Sequence, residues 1–323
     1  MRTLFVVDPL DALDASLDTS IGLMHAAEHL GAEVWVAEAR DLEAVGGRAV
    51  AQARQVKLAP SVPAGGVRWT VPDPWYDAGP VEPLALDETD AVFVRTEPPV
   101  DTDYLAATYL LDLVDPRHTA LVNAPGGLRM CSEHLVGLAY PDLVPPTLVT
   151  ARPEAVHRFL DDHGAVVVKP VDGFSGRGVF LLRQGDPNLT SILDTATFLG
   201  SRSVIVQPYL DVATLGNKRV FVVDGVAVGA ALRHPVAGDF RISSPDATAD
   251  LTDRDVEIVE RLAPMLRRHG LRCVGLDVIG EHLIEVNVTS PGALRKADAL
   301  LGTSYCVDLV AHVLNNPQWK APS

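Results

Sequence analysis

The stretch Lys169-Pro-Val-Asp-Gly-Phe-Ser-Gly-Arg-Gly178 sets one cation ahead of Gly173, Gly176 and Gly178. A turn of this kind can point backbone N–H groups at an anion while the Lys169 ammonium supplies a point charge to the same phosphates. Its spacing is neither that of a Walker A loop nor that of a dinucleotide fingerprint, because a strand follows where those motifs need a helix. A plain hairpin turn with a solvated lysine is the competing reading. A second group lies in Gly-Leu-Asp277-Val-Ile and Leu-Ile-Glu285-Val-Asn287-Val. Side chains two apart on a strand share a face, so Glu285 and Asn287 point the same way, and Asp277 on a paired strand can join them. Three hard oxygen donors of this kind suit Mg2+, and a solvated polar sheet face is the alternative. A third group is basic: Lys218-Arg219, Arg233 and Arg241 each sit near a strand end. Guanidinium forks match phosphoryl and carboxylate oxygens, although scattered surface arginines would look the same in a sequence. The histidines, among them His25, His134, His163, His234 and His282, show no zinc-ligand spacing, and Ser243-Ser244 lack a nucleophile elbow.

These residues need elements to hold them. Thr3-Val7 reads as a strand, Ser20-Leu30 as a helix stopped by Gly31, and Glu33-Val36 as a strand, an order that predicts a parallel α/β sheet. Gly46 to Leu86 is rich in proline and glycine and reads as loop. Strand, helix and strand return at Ala91-Arg95, Thr102-Leu113 and Ala120-Asn123. Beyond Pro141 the pattern changes: Ala165-Lys169 and Val179-Leu182 flank the glycine turn as a hairpin would. Further strands are expected at Val204-Val206, Val220-Val223, Cys273-Val278 and Leu283-Val288, with a helix over Asp253-Arg268 closed by Gly270. The second part therefore reads as α+β with antiparallel sheet.

At 323 residues the chain can bury a large core, and its length suggests about two domains. With 27 Lys+Arg against 42 Asp+Glu the net charge is -15, which argues against nucleic acid or an anionic membrane as partner. Hydrophobic residues make up 47%, a globular balance. The opening apolar run, Leu4 to Val7, reads as far short of a signal-peptide core, nothing later reads as long enough for a membrane span, and the three cysteines, Cys131, Cys273 and Cys306, form no CxxC pair. A reducing cytoplasm is the expected location.

In order and spacing, the lysine with its glycine turn, the basic cluster and the Asp…Glu-x-Asn strands resemble the ATP-grasp superfamily. The chain is similar over nearly its whole length to the bacterial glutathione synthetase family. Val274-Gly-Leu-Asp-Val-Ile-Gly and Glu285-Val-Asn-Val-Thr-Ser-Pro291 are the most specific segments, supported by Val7-Asp-Pro9, Arg95-Thr-Glu-Pro-Pro-Val-Asp101, Leu121-Val-Asn123 and Lys218-Arg-Val220. The resemblance implies an N-terminal doubly wound α/β domain over 1–123. Two α+β subdomains would follow and clasp ATP, a lid over 124–202 and a catalytic unit over 203–323. Lys169 would contact the phosphates, with Gly173, Ser175, Gly176 and Gly178 closing over them. Gln207, Pro208, Tyr209 and Leu210 would form the hinge beside adenine. Asp277, Glu285 and Asn287 would hold Mg2+ or Mn2+, and Arg219 and Arg233 would steady the reacting groups. Asp18, Ser20, Arg95, Thr289 and Ser290 would lie near the acceptor substrate.

The activity so implied joins a small-molecule acid to an amine through an acylphosphate, with glutathione as product, in a homo-oligomer. This chain departs from the family pattern at four places. His134 stands where the family carries a second phosphate-binding lysine, and Asn217 where an acidic residue meets the ribose. Ser243, within Phe240-Arg-Ile-Ser-Ser-Pro245, replaces an asparagine, and Lys296 follows Arg295 where an acidic residue is common. A ligase for a different acid and amine, or a non-catalytic nucleotide-binding relative, are the other functions compatible with the sequence.

Overall fold

In a computed structural model of the chain, which describes residues 1–242, 244–316 and 319, the first element is the strand β1 (Arg2–Val6). After it come helix α1 (Thr19–His29), β2 (Glu33–Ala37), β3 (Leu42–Val45), β4 (Arg48–Leu58), β5 (Val62–Gly65), β6 (Arg68–Thr70) and β7 (Tyr76–Ala85). Strand β8 (Ala91–Val94), helix α2 (Thr102–Leu111), β9 (Ala120–Val122) and α3 (Pro125–Met130) complete this part. Six strands run in the order β3-β4-β2-β1-β8-β9, and β7 pairs with β4 to make a seven-stranded sheet. Alternation along β1 divides the core: Leu4 and Val6 pack with Tyr104 and Leu111 of α2, whereas Phe5 faces Leu23 and Met24 of α1. Phe5 also stacks on Phe93, ring centroids 4.8 Å apart.

The segment expected to be loop, Gly46 to Leu86, instead contains two of the longest strands, β4 with 11 residues and β7 with 10. The N-terminal sheet is accordingly mixed: β1 runs parallel to β2 and β8, but β4 is antiparallel to β2, β3 and β7. Two features hid these strands. Pro80 and Pro83 lie on β7, which pairs only with β4, so a missing N–H can face outward without breaking the ladder. On β4 the buried positions are mostly alanines, Ala49, Ala51 and Ala53, which give little hydrophobic contrast.

The middle of the chain contributes β10 (Leu148–Thr150), α4 (Pro153–His163), β11 (Ala165–Pro170), β12 (Phe180–Arg183), α5 (Leu189–Ala196) and β13 (Val204–Pro208). Here β10-β13-β11-β12 form an antiparallel sheet, and β11 with β12 make the expected hairpin. Val166 and Val168 pack with Val156 and Leu160 of α4 and Leu193 of α5. The alternate residues Val167 and Lys169 therefore face the opposite side, where they line a cleft.

The last part consists of α6 (Val212–Leu215), β14 (Asn217–Val223), β15 (Val226–Arg233), β16 (Ala247–Thr248), α7 (Asp253–Arg268), β17 (Cys273–Ile279), β18 (His282–Asn287), α8 (Leu294–Leu301) and α9 (Tyr305–Asn315). Its sheet runs β16-β15-β14-β17-β18, antiparallel throughout. Helix α7 starts at a capping box, where Thr252 Oγ1 accepts from Asp255 N–H and the Asp255 carboxylate accepts from Thr252 N–H. Its apolar side, Ile258, Val259, Leu262 and Leu266, packs on Val220, Val222, Val274 and Leu276. With that face filled, Arg219, Asp277, Glu285 and Asn287 point into the cleft. Helix α9 returns to pack on α1. Among the described residues, no helix is long and apolar enough to cross a membrane.

Candidate functional site

The β11–β13 wall and the β14–β18 wall enclose a cleft of about 470 Å3. Strand register builds its floor: Arg219 is paired with Asp277, and Asp277 with Glu285, so three charged side chains form one row across β14, β17 and β18. Arg219 Nε donates to Asp277 Oδ1 at 2.6 Å, and Arg233 Nη2 reaches the same oxygen at 2.7 Å. Gly275 leaves room for this arrangement, since a Cβ there would lie 3.0 Å from Arg219 Cδ. Burial pushes the Asp277 carboxyl up, but the two guanidinium groups outweigh it and hold the group below the usual carboxylate range. Glu285 lacks such partners. Burial and then the Asp277 charge push its carboxyl up, with Lys169 opposing.

Lys169 is 7% exposed, so the solvated-lysine alternative fails. Its ammonium crosses to the other wall and donates to Ile284 O at 3.4 Å. Burial pushes this ammonium down, against the charges of Glu285 and Asp277. His134 lines the cleft between them: Nε2 is 3.0 Å from Gly173 O, and Nδ1 is 3.8 Å from Glu285 Oε1. Burial, then the Lys169 charge, push the His134 ring down to about 4. It is therefore neutral at pH 7 and brings no charge to this end of the cleft, where a lysine would.

In the glycine turn, Ser175, Gly176 and Gly178 have φ of 52°, 69° and 71°, so the left-handed backbone there accounts for the glycines. Gly173, Ser175 and Gly176 line the cleft, and Gly178 does not. Gln207, Pro208, Tyr209 and Leu210 follow along its edge. Gln207 Nε2 donates to Thr147 Oγ1 at 3.0 Å, and Tyr209 N–H donates to Ala165 O at 2.9 Å. Asn217 also faces the cleft, but its Oδ1 accepts from Arg233, which among the described residues leaves the amide N–H2 as its unused polar group.

The oxygen donors suit a hard cation. Among the described residues nothing donates a hydrogen bond to the Glu285 carboxylate, and Asn287 uses its amide N–H2 on Gly275 O at 3.1 Å, which keeps Oδ1 available. Two carboxylates and an amide oxygen match the sparse protein ligation of Mg2+. Among the described residues no group of three His, Cys, Asp or Glu is placed to hold a metal ion by itself, so a zinc-type cage is not formed there.

The proposed acceptor residues fall into two places. Thr289 and Ser290 line the cleft, just past β18. Asp18 and Ser20 lie at the start of α1, and Arg95 lies just past β8: Asp18 caps α1 by accepting from Ser20 N–H at 2.7 Å, and Arg95 Nε donates to Ser20 Oγ at 3.2 Å. The Arg95 charge acts on Glu97, which lines the cleft, so the two places adjoin. Of the basic residues, Arg241 does not join Arg219 and Arg233. It is exposed and tied to Asp239, with Nη2 to Oδ2 at 2.6 Å. Lys218 turns the other way, to Asp255 at 2.6 Å. Ser243 lies outside the described residues.

Glu133 has no counterpart in the reading of the sequence. Its carboxylate accepts from Val288 N–H at 2.7 Å and Thr289 N–H at 2.9 Å, which fixes the chain leaving β18. A lone acidic residue in Cys131-Ser-Glu-His134 carries no pattern that would announce this role.

Two family models cover this architecture: the N-terminal domain of prokaryotic glutathione synthetase matches residues 1–129, and its ATP-grasp domain matches residues 133–302. The chain belongs to the prokaryotic glutathione synthetase family. It is an ATP-grasp ligase that forms carbon–nitrogen bonds. The glutathione synthetase of Thermosynechococcus vestitus is 41% identical over 307 residues, spanning 94% of this chain and 96% of that protein. That of Synechococcus elongatus is 42% identical over 308 residues, 94% and 95% of the two chains. Among solved structures, D-cycloserine synthetase DcsG superposes with a TM-score of 0.64 at 18% identity, covering 96% of this chain and 99% of its own. The ATP-grasp ligase PsnB complexed with minimal precursor gives 0.61 at 19%, covering 97% and 98%. At such identities these two structures bear on the fold of this family member alone.

Proposed function

We propose that this chain joins γ-glutamylcysteine to glycine, converting ATP to ADP and phosphate and releasing glutathione. The observation that carries the reading is the Arg219–Asp277–Glu285 row facing Lys169 across one cleft, in a member of this family. Lys169 and the turn at 173–178 bind the phosphates, and residues 207–210 flank the adenine. Asp277, Glu285 and Asn287 would hold Mg2+, with Mn2+ as substitute, and the ion would supply charge neutralisation for the transferring phosphoryl group. Arg95, Ser20 and Asp18 lie toward the acid substrate. Residues 1–123, 124–202 and 203–323 act as substrate-side domain, lid and catalytic unit.

The cysteinyl carboxylate attacks the γ-phosphorus and ADP leaves. The neutral amine of glycine then attacks the acyl carbon, phosphate departs with the C–O bond, and the amine proton passes to solvent. Arg219 and Arg233, fixed by Asp277, face the negative charge that develops on the carbonyl oxygen. Closing the turn at 173–178 excludes water that would hydrolyse the acylphosphate. Steady-state ADP release with γ-glutamylcysteine and glycine tests this, and efficient turnover at micromolar acceptor is the expected outcome. A different acid–amine pair is favoured by one feature: Phe240, Arg241 and Ile242 line the cleft in a segment pinned by the Pro235–Ile242 bridge. Activity confined to another pair in the same assay would select that reading.

A further inference from the structure

We propose that Lys296 docks the carboxylate of the amine substrate and selects amino acids over amines that lack a carboxylate, an inference that rests on the ligase reading above. Helix α8 (Leu294–Leu301) is preceded by Ala293 in a left-handed conformation with φ 80°, and no side chain caps it. Its first turn has no acidic residue and instead carries Arg295 and Lys296. Cations at the positive end of a helix dipole are unfavourable unless an anion joins them. Arg295 is turned away from the cleft: it is 2% exposed, its guanidinium stacks over the Trp69 ring at 5.1 Å, Nη1 lies 3.2 Å from His25 Nδ1, and its Nε and Nη2 meet no acceptor among the described residues.

Lys296 turns into the cleft. Its ammonium donates to Ser244 Oγ at 3.2 Å and, among the described residues, forms no ion pair. Asp14 and Asp18 act on it through space, and Arg233 and Arg219 oppose them. A second donor faces the same end of the cleft. Arg233 is 9% exposed, and its Nε, fully buried, meets no acceptor among the described residues. A carboxylate between the Lys296 ammonium and the Arg233 guanidinium would meet both donors and offset the charge at the start of α8.

The phosphates have their own cation, Lys169, on the other wall beside the glycine turn. Lys296 instead lines the cleft on the β14–β18 side together with Arg219, Arg233, Thr289 and Ser290. In an α-amino acid the amine is two bonds from the carboxylate carbon. A carboxylate held between Lys296 and Arg233 therefore keeps the amine close to the arginines, where the acyl carbon is expected.

The test compares glycine with glycinamide as amine, for wild type, Lys296→Met and Lys296→Arg, in ADP release with γ-glutamylcysteine. Ligand-observed NMR of glycine binding to each protein is run beside it, with thermal melting as a check on folding. The expected result is at least a tenfold fall in the glycine-to-glycinamide ratio of kcat/KM in Lys296→Met, carried by KM for glycine, with most of the ratio restored in Lys296→Arg. An unchanged ratio in folded Lys296→Met overturns the proposal. If wild type releases no ADP with this pair, the proposed substrates fail and NMR alone decides: weaker glycine binding to Lys296→Met supports the subsite, and equal binding overturns it.

Discussion

Lys169 and Glu285 face each other across the cleft, and substitutions that keep their shape and remove only the charge separate chemistry from folding. Lys169→Met should weaken ATP binding by at least about tenfold, because a charge-assisted contact to phosphate is lost, and isothermal titration measures it. Nucleotide affinity equal to wild type would return the turn at 173–178 to a simple hairpin. Glu285→Gln should lower kcat by at least about a hundredfold, since a hard cation loses a charged oxygen. The variant should melt close to wild type, because in the free protein the Glu285 carboxylate is already opposed by burial and by Asp277. Wild-type ADP release by a folded Glu285→Gln protein would remove it from the metal site. His134→Lys should do the reverse of Lys169→Met. A second ammonium beside Lys169 repels it in the empty cleft, where His134 is neutral, and ATP phosphates then offset both. Thermal shift should show a lower melting temperature without nucleotide and a larger rise on adding ATP, with affinity improved by about threefold to tenfold.

At the scale of elements, one amide joins the N-terminal sheet to the catalytic one. Asn123, at the end of β9, donates Nδ2 to Cys273 O at 2.8 Å and Val288 O at 2.7 Å, and its Oδ1 accepts from Arg272 N–H and Cys273 N–H, both at 2.8 Å. Every hydrogen-bonding position of the side chain is used, and the groups it serves flank β17 and the exit of β18. Asn123→Ala leaves those groups without a partner, at a cost of about 3 kcal/mol. Urea unfolding measures this, and a loss below about 1 kcal/mol would mean that water replaces the amide. The strand-level reading succeeded where the pattern is plain, in the unbroken apolar run of β11 and the Glu-Val-Asn alternation of β18. It failed in β4 and β7, where alanines and edge prolines blur the pattern.

For the whole molecule, the acylphosphate route fixes the spent nucleotide. Chromatography should find ADP and orthophosphate as products in equal amounts, and AMP as the main product would indicate adenylation instead. The arrangement also explains how an acidic chain, net -15, can bind a polyanion. Its cations are gathered locally: Lys169, Arg219, Arg233 and Lys296 line one cleft between two sheets, and long-range attraction plays no part.

The sequence by itself determined the glycine turn, the Asp277 and Glu285-x-Asn287 strands and the antiparallel character of the second half, because strand period and turn chemistry are local properties of the chain. Family resemblance added the order of the parts. Only the tertiary structure decided that Arg219 and Arg233 share one oxygen of Asp277, that Arg241 stays with Asp239, that Glu133 holds the chain after β18, and that Lys296 enters the cleft. Each of those depends on which residues register and packing bring together from distant segments, and on how much water they lose there. Neither quantity is written in the spacing of residues along one strand or helix.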